Sequence, residues 1–327
     1  MSADGPTMQR PAAQNWEEIP HVTQSMLLTV QLPRSEDEVL RKRNPSDDTI
    51  TDFDTQWSRY TDNEGWYGSD ELLEDILHPL LNADALAGQA ILDIGSGTGR
   101  IVGMLLDAGA EHVYAIEPSE QAFQVLLRNI GKMERSEAVT AMHSTGEQFG
   151  LSRQVHVAVS IGVLHHIRDP LPVVRNAYAA LKPGGHLFVW LYGYEGNEAY
   201  LRAISPIRRL TPKLPHALLR LFVEIGYWAL VLYRAIDRVI RLPMHTYMEH
   251  VLWRLSPGKR RLVIYDQLNP AFSKYYKREE AIALLEEAGF RDVQAHHRHG
   301  YSWSVLGRKP SIAESNQSGG HCSNRPI

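Results

Sequence analysis

Cysteine is almost missing from this chain. The one example, Cys322, sits in a polar tail reading SNQSGGHCSNRPI, so no internal disulfide and no thiolate metal site can be built, and a reducing compartment fits. Long hydrophobic runs are missing too. No stretch approaches the roughly twenty apolar residues that span a bilayer, and the N-terminus MSADGPTMQRPAAQNW has no basic segment leading into an apolar one. A cytoplasmic protein is expected. A dominant charge is the third absence: the formal net charge is −4 over 327 residues, which alone points neither to nucleic acid nor to an acidic tail.

What is present is an ordinary globular composition, 43% hydrophobic and 22% charged. Residues 1–48 mix Pro, Gln, Ser and acids around a brief apolar island at 26–32, which predicts a flexible arm, and 311–327 read as a flexible tail. Between them two periods alternate. ELLEDILHPLL is helical in spacing and QAILDIG is a first strand. GRIVGMLLDAG, EQAFQVLLRNIG and PLPVVRNAYAALKPGG predict helices. HVYAIEP, VTAMHS, VHVAVSIGV and HLFVWLYG predict strands two to five. The rhythm breaks after residue 196 and resumes with the helix KREEAIALLEEAGF and the closing strand pair RDVQAHHRHG and YSWSVLGRKP. The expected architecture is a doubly wound α/β fold with a seven-stranded, mostly parallel sheet and a helical insertion after strand five. Its parts are a core over 49–198, the insertion over 199–264 and the rest of the core over 265–310.

The segment ILDIGSGTGR places Gly95, Gly97 and Gly99 between the first strand and a helix N-terminus, where unpaired N–H groups and the helix dipole suit phosphates or a carboxylate. The dinucleotide pattern G-x-G-x-x-G fails because its third glycine position is not met, and no Gly-Lys-Ser/Thr follows to make a P-loop.

Asp93, Gly95, Gly97 and Gly99 resemble the first motif of the class I S-adenosylmethionine-dependent methyltransferases, and later segments agree in order. The resemblance implies S-adenosylmethionine as cofactor, held by the loop Gly95, Ser96, Gly97, Thr98 and Gly99. It implies that Glu117, with Pro118 in AIEPSE, binds the two ribose hydroxyls, a task suited to a carboxylate facing a vicinal diol. HSTGEQF supplies Thr145, Gly146 and Glu147 at the adenine, although His143 and Ser144 stand where many relatives carry aspartate. SIGVLHHIRDP supplies Ser160, Ile161, Gly162 and His165 around the methionine portion. SIGV lacks the Asp/Asn-Pro-Pro-aromatic sequence used to hold an amino nitrogen, so oxygen or carbon of a small organic acceptor is expected.

Catalysis then needs positioning and a base. His165 and His166 follow strand four at the edge where parallel sheets bind ligands, against the alternative that both are structural. His297, His299 and Tyr301 rim the same edge if strand six is parallel. A metal is not expected, since HHRH alternates across a strand with no cysteine or nearby carboxylate to complete a site. Phe53, Trp57, Tyr60, Trp66 and Tyr67 lie ahead of the first strand. Trp66 and Tyr67 are the better candidates for the pocket, Tyr67 among the catalytic candidates, because aromatic faces attract a sulfonium. A hydrophobic clasp is the other reading.

Between residues 201 and 261 there are twelve Lys/Arg against Glu224, Asp237 and Glu249, a surplus of nine that leaves −13 on the remainder. Anionic partners become plausible. RLFVEIGYWALVLYRAIDRVIR sets Arg220, Glu224, Tyr227, Val231, Arg234, Arg238 and Arg241 along one stripe, and the apolar surface elsewhere is expected to be buried. A lid over the pocket is the first reading. An interfacial helix on anionic lipid, serving a lipidic, quinone-like substrate, is the second, and a homodimer interface the third. Nucleic acid is not expected, for no recognised module is present. Asp266, Asn269, Tyr275 and Tyr276 are candidates to reach the acceptor. Two rival functions are a non-catalytic S-adenosylmethionine-binding regulatory module and an NAD-dependent oxidoreductase.

Overall fold

The structure, a computed structural model, describes residues 50, 53, 54, 56, 57, 60–151, 154–211, 214–269 and 272–314. The expected arm at 1–48, its apolar island, and the tail beyond 314 with Cys322 lie outside these residues.

Seven strands form one sheet: β1 (Ala90–Ile94), β2 (His112–Glu117), β3 (Val139–His143), β4 (Val155–Ile161), β5 (Leu181–Tyr192), β6 (Arg291–Arg298) and β7 (Ser302–Arg308). Their order is β3-β2-β1-β4-β5-β7-β6. Strands β1 to β5 pair in parallel, and β7 runs antiparallel to both β5 and β6. Strand β6 therefore shares the common direction and ends at the same edge as β1, β2 and β4.

Alternation along the strands feeds two cores. Ala90, Leu92 and Ile94 of β1 enter one and Ile91 the other; on β2, Tyr114 and Ile116 oppose Val113 and Ala115. A sheet buried on both sides needs helices on both. Leu73 and Leu77 of α1 (Asp70–Leu77), Val102 and Leu105 of α2 (Arg100–Asp107) and Leu126 of α3 (Glu120–Ile130) fill one face. Val173 and Ala177 of α4 (Leu171–Ala180) and, later in the chain, Ala281 and Leu285 of a C-terminal helix (Arg278–Glu287) fill the other. Serine caps begin two of these helices: Ser69 accepts from Leu72 N and Ser119 from Ala122 N.

The helix expected to run to a glycine stop at Gly184 ends earlier, at Ala180, because Leu181 already pairs with Val155. Pro183 disfavours helical backbone at Lys182 before it, and Gly184 turns with φ 81°.

Between β5 and that C-terminal helix stand α5 (Glu198–Arg208), α6 (His216–Asp237), α7 (His245–His250) and α8 (Pro257–Leu268). Helices α6 and α8 pack through Leu219, Val223, Tyr265 and Leu268. Arg261 grips both oxygens of Glu224 at 2.7 and 2.9 Å and lies over the Tyr227 ring. Met248, Leu252 and Leu255 form a second cluster that reaches Trp66 and Tyr67. The expectation that α6 buries its whole apolar surface is corrected. Leu219, Val223 and Tyr227 are inside, yet Leu221, Ile225, Trp228 and Leu232 are exposed, Trp228 by 64%. At 100° per residue the two sets occupy opposite faces of the helix, and α8 covers only one of them. Among the described residues no helix is long and apolar enough to cross a membrane.

Candidate active site

The β1–α2 loop is shaped by backbone rather than by side chains. Gly95, Gly97 and Gly99 all have positive φ (79°, 55° and 84°), which other residues rarely adopt. Gly95 N and Ser96 N both donate to Ile116 O of β2, at 2.8 and 2.9 Å. A Cβ on Gly95 would lie 2.4 Å from Val163 Cγ2, and one on Gly99 2.8 Å from Leu126 Cδ1, whereas one on Gly97 would meet nothing nearer than Trp57 at 3.9 Å. The outer glycines serve packing, and the middle one leaves an open approach to the loop.

Glu117 ends β2 beside this loop. One carboxylate oxygen accepts from Gly97 N at 2.7 Å and the other from Ser119 N at 2.8 Å. Burial pushes its pKa up to about 7 against the pull of those two bonds. Each oxygen keeps a further lone pair for a ligand hydroxyl.

Loop and carboxylate stand at one end of a cavity of about 1230 Å³. Gly95, Ser96, Gly97, Thr98, Glu117, Pro118, Thr145, Gly146, Glu147, Ile161 and Gly162 all line it. Thr145 Oγ1 is buried there without a hydrogen-bond partner among the described residues. The open approach at Gly97, the lone pairs of Glu117 and this hydroxyl fit S-adenosylmethionine: Glu117 would hold its ribose, Gly97 its amino acid end and Thr145 its adenine side.

Four expected cofactor contacts do not reach the cavity. Asp93 lies beneath the loop, 1% exposed, with burial raising its pKa to about 7. Gly99 packs on α3, and Ser160 Oγ turns back to Ile94 O. His165 is wholly buried, its ring stacked on Tyr192 at 3.8 Å, and neither ring nitrogen has a hydrogen-bond partner among the described residues. Burial drives its pKa well down, so the ring is a neutral packing group rather than a base at the cavity. His143 is also turned away, its Nε2 at 3.0 Å from Pro118 O.

His166 does line the cavity. Its Nδ1 is 3.1 Å from Phe272 O and 3.2 Å from Ser273 Oγ; the tautomer in which Nδ1 donates to the carbonyl leaves Nε2 as the acceptor. Burial lowers its pKa, so the ring is neutral at pH 7. Around it stand polar groups contributed by distant segments. Asp266 accepts from Tyr192 at 2.6 Å and from Gln56 Nε2 at 3.0 Å; Gln267 accepts from Tyr275 at 2.7 Å and from Tyr200 at 3.1 Å. Burial holds Tyr200 up at about 12 and Tyr275 higher still, so both are neutral phenols. Beyond them the walls are apolar: Ile204, Phe222, Leu230, Met248 and Leu262 among others.

Of the remaining candidates, Phe53, Trp57, Trp66, Tyr67, Tyr275, Asp266 and Tyr301 line the cavity, while Tyr60, Asn269, Tyr276, His297 and His299 do not. Arg254 lies over Trp66 at 4.6 Å, and Arg100 and Lys259 each lie 4.5 Å from the Tyr67 ring, so these aromatics already hold cations of the chain itself. Burial raises the Tyr67 pKa, which makes it a hydrogen-bond donor and not a base. His297 stacks on Trp303 at 4.4 Å. His299 bonds Asp75 at 2.8 Å, so a carboxylate does stand beside the closing histidines, contrary to the sequence expectation; it is also paired with Arg298.

Sequence reasoning missed Gln56, Tyr192, Tyr200, Gln267 and Arg298, all of which line the cavity. Tyr192 was within reach, since it ends β5 at the ligand-binding edge. Gln56 carried no signal: its partner Asp266 is 210 positions away.

Comparison with known proteins agrees with this geometry. Residues 92–187 match a family profile described as a methyltransferase domain. A ubiquinone biosynthesis O-methyltransferase of Vibrio vulnificus is 27% identical over 179 residues, 54% of this chain and 74% of that protein. The Pseudomonas aeruginosa protein of the same name is 31% identical over 152 residues, 44% of this chain and 63% of its own. A tRNA U34 carboxymethyltransferase of Idiomarina loihiensis is 31% identical over 118 residues, 35% of this chain and 36% of that one. The solved magnesium protoporphyrin IX methyltransferase of Synechocystis PCC 6803 superposes with a TM-score of 0.47 at 17% identity, covering 80% of this chain and 95% of that one. With the glycine loop, Glu117 and the sheet order in place, residues 92–187 carry the methyltransferase domain of an S-adenosylmethionine-dependent enzyme.

Proposed function

We propose that this enzyme, working in the cytoplasm, methylates an oxygen of a small, largely apolar acceptor held under a lid formed by residues 199–264. The observation that carries this reading is one continuous cavity whose lining includes the glycine loop and Glu117, the polar groups Asp266, Tyr192, Gln56 and His166, and many apolar side chains of residues 199–264. The relatives from Vibrio vulnificus and Pseudomonas aeruginosa are named for O-methylation in ubiquinone biosynthesis, which supports an oxygen acceptor on an apolar body.

S-adenosylmethionine, when bound, supplies a methyl group on a sulfonium that needs positioning more than activation. The chain's part is threefold. Glu117 and Gly97 fix the donor. Asp266, already oriented by Tyr192 and Gln56, takes a hydrogen bond from a polar group of the acceptor and so holds it in line with the methyl. His166 Nε2 receives the hydroxyl proton, its ring set by the bond from Nδ1 to Phe272 O.

The test is release of S-adenosylhomocysteine from the purified chain with a panel of hydrophobic phenols. Turnover that falls in His166→Ala while donor affinity holds supports the reading. Turnover with none of them, or an unchanged rate in the variant, overturns it.

A further inference from the structure

Helix α6 turns a second apolar face away from the fold. Leu218, Leu221, Trp228, Leu232 and Ile236 are 44–64% exposed, and Val239 and Ile240 beyond the helix end are 84% and 63% exposed. At 1.5 Å per residue the 22-residue helix lays this face out over about 33 Å. The end of α5 adds Ile207 and Leu210, the latter 66% exposed. Soluble monomers rarely leave so long an apolar surface bare.

Two further observations say what covers it. First, exposed arginines mark both ends: Arg209 beside Leu210, and Arg238 and Arg241 around Val239 and Ile240, none with an ion pair among the described residues. The acids of this region are engaged, Glu224 by Arg261 and Asp237 by Arg234 and His245. Second, the exposed face runs into the cavity wall, since Ile207, Phe222 and Ile225 are exposed and also line the chamber.

We infer that this face of α6, with the end of α5, seats on an anionic lipid surface, the arginines meeting the headgroups, and that the apolar acceptor enters the chamber from the bilayer. The route of access rests on the acceptor proposed above; the docking does not. A second copy seated here fits less well, because an isologous antiparallel pairing would bring arginine-bearing ends together and cover the chamber wall. Anionic headgroups neutralise the same arginines, and hydrocarbon takes up the apolar side chains.

The test uses the full chain with vesicles of phosphatidylcholine alone and of phosphatidylcholine with phosphatidylglycerol. Binding to the anionic vesicles is expected, weakening with salt, together with a blue shift of tryptophan fluorescence that Trp228→Phe removes. Leu221→Glu/Leu232→Glu, neither of which lines the chamber, is expected to lower vesicle binding by at least about tenfold while calorimetric binding of S-adenosylmethionine persists. Should the double variant fail to fold, the Trp228 signal of the unaltered chain decides alone. The inference is overturned if neither vesicle binds, if the chain is a dimer that the double variant dissociates, or if acrylamide cannot quench Trp228 in the monomer. Loss of turnover with every phenol, with vesicle binding intact, would strike the acceptor reading and spare the docking.

Discussion

The two ends of the cavity are built by opposite means. At the loop end, backbone does the work: three glycines, the N–H groups of Gly97 and Ser119, and one carboxylate that ties them together. At the chamber end, side chains do it, brought from Gln56, β5, α5 and α8. The first arrangement is local and its geometry is over-determined. The second depends on helices that meet only in the folded chain.

That contrast can be broken most sharply at the loop end. Glu117→Ala removes the acceptor for two backbone N–H groups and, on the reading above, for two ribose hydroxyls. Donor affinity should fall by about a hundredfold or more in calorimetry. His166→Ala should lower kcat by about a hundredfold with donor affinity kept, which sharpens the division between holding and chemistry; a matching loss of donor affinity would erase it. The pH dependence probes the same carboxylate. A ribose needs Glu117 ionised, and burial raises its pKa to about 7, so donor affinity should climb as pH rises to about 7 and level off above it. Below that point the loss should approach about tenfold per pH unit, and Glu117→Gln should flatten the curve.

Gly95→Ala tests rigidity. A Cβ 2.4 Å from Val163 Cγ2, on backbone at φ 79°, should cost about 3 kcal/mol. The expected fall in Tm is about 5 °C in a thermal melt. Tyr192→Phe is the smallest expected effect. Asp266 keeps its bond from Gln56, so acceptor KM should rise only about threefold, within the usual worth of one hydrogen bond, and kcat should stay.

The same contrast explains what could be read from the sequence. Strand and helix periods, the glycine spacing and Glu117 are local patterns, so the sheet, its direction and the donor-facing loop were legible. Helix ends were legible to within a few residues: α4 stops at Ala180 because β5 claims Leu181, a pairing no local pattern reveals. His165 and His166 are adjacent and chemically alike, and only the packing of Tyr192 on one and the Phe272 carbonyl on the other separates a buried ring from a cavity ring. The stripe on α6 was visible too, but which arc α8 would cover was not.

Gly95 and Gly99 face neighbours that leave no room for a methyl group, whereas the chamber walls are aliphatic side chains on helices whose backbones never touch the loop's hydrogen bonds. Substrate range can therefore drift or be engineered by exchanging Ile204, Leu230 or Met248 for larger or smaller residues without disturbing the machinery that loads the donor. The fold separates a fixed socket from an exchangeable one.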